Sequence, residues 1–307
     1  MPLKIVQLVD SPDSPLPDYG EMLRMQGFEV EFSRVDCTTE EEIVRAAAEA
    51  DVVIAVATHQ PLSRRVIESL ERCRFIMSLG IGFDLLDLGA ATERGVLAAN
   101  VPDYCVEEMS DHAMALILAC TRRIVQLASY VREGRWTQTA DPQLRGLWMQ
   151  MSSLRGLELG LVGLGRIARA LVPKARGFGM RVMAYDPYVP DEVFRAAEVI
   201  RVDLDELLAR ADVVSLHCAL TPETAGMIGA AQLSRMKRTA YLVNTARGAV
   251  IDTEALVAEL RKGRLWAALD VFEEEPLPAE SPLRGLENCQ LIPHMAGPTP
   301  DRRVDMG

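Results

Sequence analysis

The chain alternates short apolar runs with segments of helical periodicity, and this alternation begins almost at its start. In the first hundred residues, apolar runs at 5–9, 52–57 and 75–79 predict strands. The segments 40–50 and 64–71 show helical periodicity and are preceded by residues that can cap a helix. Strands that alternate with helices pair in parallel, because each helix carries the chain back across the sheet. The pattern therefore predicts an α/β fold with a doubly wound parallel sheet.

The first alternation ends at Pro102, which cannot continue a central strand. A long apolar helix is then predicted from 106 to 133, ended by Gly134 in the manner of a C-terminal glycine. A polar, tryptophan-containing stretch follows from 135 to 153. A second alternation of strands and helices begins at 157 and lasts to 292. The length of 307 residues also predicts two domains, at about 150 residues each.

The composition is that of a globular protein, with 49% hydrophobic and 25% charged residues. A net charge of -11 argues against nucleic-acid binding and against an anionic membrane surface. The six cysteines form no C-x-x-C pair, so neither a zinc site nor a thioredoxin-like motif is predicted. Scattered cysteines of this kind, without a visible signal peptide or a run long enough to span a bilayer, predict a cytoplasmic protein with no membrane partner.

A glycine-rich turn follows the first strand of the second alternation. Gly163-Leu164-Gly165-Arg166-Ile167-Ala168 has the spacing of a dinucleotide-binding fingerprint between a strand and a helix. Gly163 permits the tight turn, Gly165 lets a pyrophosphate approach the backbone, and Ala168 is small enough for helix and strand to pack closely. The N-terminus of the helix would then present free N–H groups to the phosphates.

The second residue type that a dinucleotide site needs is also present. Asp186 ends the next predicted strand, 181–185, where a carboxylate accepts hydrogen bonds from the hydroxyls of the adenine ribose. It would repel a 2′-phosphate, and Pro187-Tyr188 offers no arginine to bind one. The sequence therefore predicts NAD rather than NADP.

Three short segments near the C-terminus carry candidate chemistry. Arg247 lies in Asn244-Thr245-Ala246-Arg247-Gly248, Glu275 ends a carboxylate run before Pro276, and His294 follows Pro293. An arginine, a glutamate and a histidine are the groups needed to grip an α-keto acid and to move a proton at its oxygen. Behind a dinucleotide turn, they predict hydride transfer to a keto acid.

Taken together, these motifs resemble the D-isomer-specific 2-hydroxyacid dehydrogenases. The matching segments stand in the family's order: 80–84, 163–168, 217–221, 244–248, 270–276 and 293–294. The stretch 100–108 is most similar to the branch that holds phosphoglycerate dehydrogenase-like proteins and the C-terminal-binding-protein co-repressors.

The resemblance implies two Rossmann-like domains with the active site in the cleft between them. Residues 1–102, completed by 295–307, would form a flavodoxin-like substrate domain, and 103–294 would form the NAD-binding domain. The long helix 106–133 would contribute to a homodimer interface.

The resemblance also implies a role for each candidate residue. His294 would be the acid/base, Glu275 would orient it and favour its protonated form, and Arg247 would bind the substrate carboxylate. The backbone N–H groups around Gly80, Ile81 and Gly82 would hold the same carboxylate. His59 follows a strand of the first domain, and its loop position predicts either a contact with substrate or a plain surface histidine. The cofactor side would be formed by Gly163, Gly165, Arg166, Ile167, Asp186, His217, Cys218, Thr224, Thr245, Ala246, Asp270 and Met109. Asp270 would accept from the nicotinamide carboxamide, and His112 would be structural.

The resulting prediction is an NAD-dependent enzyme that interconverts a small 2-keto acid and a D-2-hydroxy acid. One alternative is an NAD(H)-sensing interaction protein of the co-repressor type. That branch carries a tryptophan shortly after the histidine, where this chain has Met295-Ala296-Gly297-Pro298. A second alternative is an impaired dehydrogenase, since the family sends a further helix back to the first domain and this chain ends in a short polar tail.

Overall fold

The computed structural model describes residues 2–10, 16–136 and 141–297. The chain divides into two compact units. The described residues up to Tyr104 belong to the first unit, and Cys105–Gly297 form the second. Residues 295–297 thus pack with the second unit, whereas the sequence assigns 295 onward to the first. The reason is that the N–H groups of Met295 and Ala296 donate to the side chain of Asp270, which belongs to the second unit. Residues 298–307 lie outside the described part of the chain.

The first unit is a five-stranded parallel sheet with the order β2-β1-β3-β4-β5, which is the flavodoxin-like arrangement. Its elements are β1 (Leu3–Val9), α1 (Tyr19–Met25), β2 (Val30–Asp36), α2 (Glu40–Ala47), β3 (Val52–Ala55), α3 (Arg64–Ser69), β4 (Phe75–Ser78), α4 (Leu88–Arg94) and β5 (Leu97–Asn100). Several of them end slightly earlier than the apolar pattern predicts, as is usual for element boundaries.

Local capping explains where these helices begin and end. Thr39 and Glu42 form a reciprocal capping box at the start of α2, and Ser63 accepts from the Val66 N–H at the start of α3. Gly95 ends α4 in the left-handed conformation, with a φ of 67°.

The second unit is a seven-stranded parallel sheet with the order β12-β11-β10-β9-β6-β7-β8, a Rossmann arrangement with one added strand. Its strands are β6 (Glu158–Val162), β7 (Arg181–Tyr185), β8 (Ile200–Arg201), β9 (Val213–Leu216), β10 (Tyr241–Asn244), β11 (Trp266–Leu269) and β12 (Cys289–Leu291). Its helices are α5 (Val106–Thr121), α6 (Ile124–Arg132), α7 (Pro142–Met149), α8 (Arg166–Gly177), α9 (Asp191–Ala196), α10 (Leu204–Arg210), α11 (Ala230–Arg235) and α12 (Thr253–Arg261). The predicted fold class, two doubly wound parallel sheets, is confirmed.

The prediction of one continuous helix over 106–133 is wrong, because the chain turns at Arg123. This residue adopts the left-handed conformation, with a φ of 55°, between α5 and α6. Its guanidinium is buried, donates to the carbonyl oxygens of Cys120 and Gln150, and lies 3.3 Å from the centre of the Trp266 ring. These contacts offset the cost of the unfavourable backbone conformation.

The polar stretch after α6, for which the pattern predicts no element, contains α7. Asp141 caps this helix by accepting from the N–H groups of Gln143 and Leu144, and Pro142 stands at its first position. Among the described residues, no single helix is long and apolar enough to cross a membrane. The pair α5 and α6 passes that test of length and composition only when taken together, and it is bent by 63°.

Candidate active site

Parallel register brings the candidate residues of the second unit to one edge of its sheet. Val162 pairs with Tyr185 and with Leu216, and Asn244 pairs with Leu216 and Leu269. The residues that follow these strand ends are Gly163, Asp186, His217, Thr245 and Asp270, which we call the carboxyl edge. Ligands of doubly wound sheets bind at this edge.

The glycine-rich turn has the backbone that its sequence predicts. Gly163 has a φ of 93°, and a Cβ there would lie 2.9 Å from the backbone N of Cys218. Only glycine fits between the two strands at this point. Gly165 precedes α8 and faces open space, since a Cβ there would meet nothing within 4 Å. Arg166 is exposed and Ile167 is partly exposed in the first helical turn, where N–H groups are free for an anion.

Asp186 lies beside this turn and also supports it. One carboxylate oxygen accepts from the Leu164 N–H at 2.8 Å, and the other accepts from the N–H groups of Tyr188 and Val189. Asp186 therefore joins the end of β7 to the glycine-rich turn. The oxygen that accepts from Leu164 has a further lone pair that a hydroxyl donor can use.

The loop after β9 holds three further candidates. Burial lowers the pKa of His217 to about 4, so its ring is neutral, and its Nε2 lies 2.9 Å from Ser215 Oγ. Burial also raises the pKa of Cys218 to about 11, which keeps it a thiol. Thr224 donates to the Ala219 carbonyl at 2.7 Å and so closes the loop on itself.

The segment after β10 is fixed by Asn244. Its side chain donates to the Arg247 carbonyl at 2.8 Å and accepts from the Ala246 N–H at 2.9 Å. Arg247 Nη1 donates to the Ala246 carbonyl at 2.7 Å, and the residue is partly exposed. Thr245 is buried, and its hydroxyl has no hydrogen-bond partner among the described residues. An unpartnered buried hydroxyl at the carboxyl edge suits a site that a polar ligand completes.

Gly248 joins this loop to the segment that carries Glu275. A Cβ on Gly248 would lie 1.8 Å from the carbonyl carbon of Phe272 and 2.3 Å from the N of Glu273. The two backbones are therefore in direct contact. This close approach explains why Arg247, which precedes Gly248, lies near enough for its charge to act on Glu275 and His294.

His294 and Glu275 form a hydrogen-bonded pair. His294 Nδ1 lies 2.7 Å from Glu275 Oε2, and the other carboxylate oxygen of Glu275 accepts from the Phe272 N–H at 2.8 Å. Both side chains are partly exposed, at 40% for His294 and 34% for Glu275. The pair leaves Nε2 as the ring nitrogen that can exchange a proton with a ligand.

The pair shifts the protonation of both members. The hydrogen bond to Glu275 raises the pKa of His294 despite partial burial, the charges of Glu275 and Asp270 add to the rise, and Arg247 opposes it. Burial by itself raises the pKa of Glu275. The bonds from His294 and from the Phe272 N–H outweigh that effect and lower it below its usual value. Both shifts act in favour of a protonated histidine beside an ionised glutamate.

Asp270 has a role that the sequence does not predict. Its side chain is buried, and its two oxygens accept from the N–H groups of Met295 and Ala296 at 2.8 and 2.9 Å. Its carbonyl accepts from the His294 N–H, also at 2.8 Å. Asp270 therefore anchors the backbone around His294, whose φ of 52° lies in the left-handed region. No local sequence signal reveals this, because the anchor depends on the pairing of β11 with β12.

The remaining candidate of the second unit is Met109, which is partly buried on α5. In the first unit, the carbonyl oxygens of Gly80, Ile81 and Gly82 accept from Val101 N, Asn100 Nδ2 and Ser78 Oγ respectively. Their N–H groups have no acceptor within the described part of the chain. His59 is exposed in the loop after β3.

The family model of the D-isomer-specific 2-hydroxyacid dehydrogenase NAD-binding domain matches residues 114–296. The chain is also 38% identical to a glyoxylate reductase from Korarchaeum cryptofilum, over 95% of this chain and 87% of that protein. This chain belongs to the D-isomer-specific 2-hydroxyacid dehydrogenase family. It is therefore an NAD-dependent oxidoreductase that interconverts 2-keto acids and D-2-hydroxy acids.

Other relatives of this dehydrogenase agree with that assignment. A D-3-phosphoglycerate dehydrogenase from Methanocaldococcus jannaschii is 39% identical over 88% of this chain, which spans 50% of that protein. The crystal structure of D-lactate dehydrogenase from Aquifex aeolicus, complexed with NAD and lactic acid, superimposes with a TM-score of 0.83. It is 27% identical and covers 98% of this chain and 91% of its own. These relatives are enzymes by name and give no support to the interaction-protein alternative.

The residues of the dehydrogenase fit the NAD that its family binds. The open space at Gly165 accommodates a pyrophosphate, and one oxygen of Asp186 has a lone pair for a ribose hydroxyl. The buried hydroxyl of Thr245 lacks a partner among the described residues. The fit rests on side chains and backbone of the second unit alone.

Proposed function

We propose that this dehydrogenase reduces small 2-keto acids such as glyoxylate and hydroxypyruvate, and that His294 is the proton donor. The observation that carries the proposal is the pair of His294 and Glu275, 2.7 Å apart. The raised pKa of His294 keeps the ring protonated closer to neutrality, which suits delivery of a proton to a keto oxygen. The glyoxylate reductases among its relatives support the size of the substrate.

Arg247 is proposed to bind the substrate carboxylate. Its planar guanidinium presents donors in a fork that matches a carboxylate, and the bond to the Ala246 carbonyl fixes one of its nitrogen atoms. Its positive charge would also stabilise the negative charge that develops on the keto oxygen. Bound NADH would supply the hydride to the carbonyl carbon.

On the cofactor side, Asp186 is proposed to bind the adenine ribose and the turn at Gly163 and Gly165 the pyrophosphate. Thr245, Ala246 and Asp270 are proposed to line the nicotinamide pocket. Further cofactor contacts are proposed for Arg166, Ile167, His217, Cys218, Thr224 and Met109. The hydroxyl of Thr224 already bonds within its own loop, so its contact would be through its methyl group or its remaining lone pair.

In the first unit, the N–H groups of Gly80, Ile81 and Gly82 are proposed to bind a carboxylate, and His59 is proposed to contact substrate. The supporting observation is that the three carbonyl groups are bonded within the unit while the N–H groups find no acceptor among the described residues. Backbone N–H groups that lack internal partners are suited to anions. The first unit would thus be the substrate-binding domain.

A homodimer formed through the second unit is proposed as well. Apolar side chains of α6 and α7 are exposed, among them Ile124, Val125, Val131, Trp148 and Met149. An apolar surface of this kind is typical of a protein interface. We further propose that the enzyme works in the cytoplasm, where its buried cysteines stay reduced.

The decisive experiment is to measure NADH oxidation with glyoxylate, hydroxypyruvate and phenylpyruvate as substrates. We expect saturable turnover with at least one of them. In the variant His294→Ala, turnover should fall by about 10²- to 10⁴-fold, the usual contribution of a general acid, while NADH affinity stays nearly unchanged. Tight NADH binding without turnover on the whole panel would contradict the proposal and would favour a nucleotide-sensing role.

A further inference from the structure

His112 faces the buried carboxylate of Asp270. It projects from α5, and its Nε2 lies 3.6 Å from Asp270 Oδ1. This separation is too long for a hydrogen bond, so the two polar groups are neighbours without being bonded. The Nε2 atom is itself buried and has no hydrogen-bond partner among the residues that the structure describes. The two groups therefore meet where water does not separate them.

Asp270 needs a compensating group because its side chain is only 1% exposed. The N–H groups of Met295 and Ala296 supply two hydrogen bonds, one to each oxygen. A buried carboxylate is stable in its charged form only when such donors and a nearby positive charge or dipole compensate for lost hydration. The imidazole of His112 is the polar group that α5 places beside it.

The orientation of Asp270 matters for His294, because Asp270 accepts from three successive N–H groups, those of His294, Met295 and Ala296. His294 adopts a left-handed backbone conformation, which a non-glycine residue keeps only when its surroundings hold it there. If the Asp270 carboxylate turned away, its oxygens would no longer accept from the N–H groups of Met295 and Ala296.

We propose that His112 is a positioning residue for proton transfer. Its imidazole holds the Asp270 carboxylate in the orientation in which residues 294–296 keep the His294 ring against Glu275. The inference rests on the proposed role of His294. The charged groups that act on His294 are Glu275, Asp270 and Arg247, so displacement of Asp270 weakens one of the two that favour its protonated form.

The test compares His112→Leu with His112→Gln. Leucine fills the space without a polar atom, whereas the amide of glutamine can place a donor near the position of Nε2. The chain has four histidines, so the ring C–H signals in an NMR titration are few enough to assign by single substitutions. In His112→Leu we expect the titration midpoint of His294 to move to lower pH. The kcat for keto-acid reduction should fall roughly tenfold, as expected for a displaced catalytic group.

In His112→Gln we expect the wild-type midpoint and most of kcat to return. Thermal unfolding of both variants serves as the control, because a purely structural role would lower Tm without moving the midpoint. A midpoint and a kcat that are unchanged in His112→Leu would overturn the inference. Failure of the proposed function can be told apart from failure of this inference, because the wild-type enzyme would then show no turnover. The NMR titration would still report whether the substitution of His112 shifts the midpoint of His294.

Discussion

At the scale of single residues, the proposed chemistry depends on the pair of Glu275 and His294. The sequence supplies both residue types, but the 2.7 Å contact requires the segment before Pro276 and the segment after β12 to meet. Glu275 is in turn oriented by the Phe272 N–H, and His294 by the bonds to Asp270. Each member of the pair is therefore oriented by hydrogen bonds within the second unit.

The proposed role of this pair predicts how the activity depends on pH. If His294 is the proton donor, as proposed, keto-acid reduction requires its protonated form. Activity should then be full at low pH and fall as the pH rises through the pKa of His294. Glu275 raises that pKa. In Glu275→Gln the fall in kcat/KM should therefore occur at lower pH, and the maximal rate should drop because the ring loses its orienting partner.

The measurement is the pH profile of kcat/KM for wild-type enzyme and variant. Glu274→Gln is the matched control, since that glutamate is exposed one position earlier. Its profile should superimpose on that of the wild type. If kcat/KM falls at the same pH in Glu275→Gln as in the wild type, Glu275 does not raise the pKa of His294.

At the scale of elements, two loops at the carboxyl edge owe their positions to glycines. Gly163 lets the turn after β6 pass the backbone of Cys218, and Gly248 lets the loop after β10 touch the segment at Phe272. In both places a side chain would strike backbone atoms, which cannot rotate away.

Gly248→Ala should therefore destabilise the fold and the site together. The added Cβ would lie 1.8 Å from the Phe272 carbonyl carbon. We expect a loss of unfolding free energy of about 3 kcal/mol, the upper end for overpacking, together with loss of turnover. Gly177→Ala, at the end of α8, is the control, because its Cβ would meet nothing within 4 Å. Chemical denaturation of both variants measures the free energy of unfolding. Equal values for the two variants would contradict the close contact between Gly248 and Phe272.

The turn after β6 depends on Asp186 in a second way. Because Asp186 accepts from the Leu164 N–H, Asp186→Ala should weaken NADH binding by loosening the turn, in addition to reducing the preference for NAD over NADP. Titration of both cofactors by fluorescence measures the two effects. Glu192→Ala, an exposed acidic position on α9, should change neither. An unaltered ratio of the two affinities in Asp186→Ala would remove Asp186 from cofactor selection.

At the scale of the whole molecule, two doubly wound units share one chain, and the second presents apolar side chains on α6 and α7. We expect sedimentation to give twice the mass of 33.8 kDa for the wild type. Val125→Asp, which places a charge on the exposed face of α6, should shift the protein to a single-chain mass. A wild-type enzyme that sediments as a single chain at micromolar concentration would disprove the homodimer.

The sequence by itself determined the doubly wound sheets, the glycine-rich turn and its acidic partner, because each follows from local periodicity or from a fixed spacing. It also supplied Arg247, Glu275 and His294 as chemical types in a recognisable order. It failed at Arg123, since an apolar pattern that continues through 106–133 does not show that a buried guanidinium will bend the helix.

Tertiary structure alone decided how the site is held. The anchoring of 294–296 by Asp270, the contact of Gly248 with Phe272 and the approach of His112 to Asp270 all join residues far apart in the chain. Such contacts have no period or spacing in the sequence, because they are set by which strands pair and by how α5 packs on the sheet. The physical reason is that local patterns fix the elements, whereas burial and hydrogen bonding between elements fix the geometry of catalytic groups.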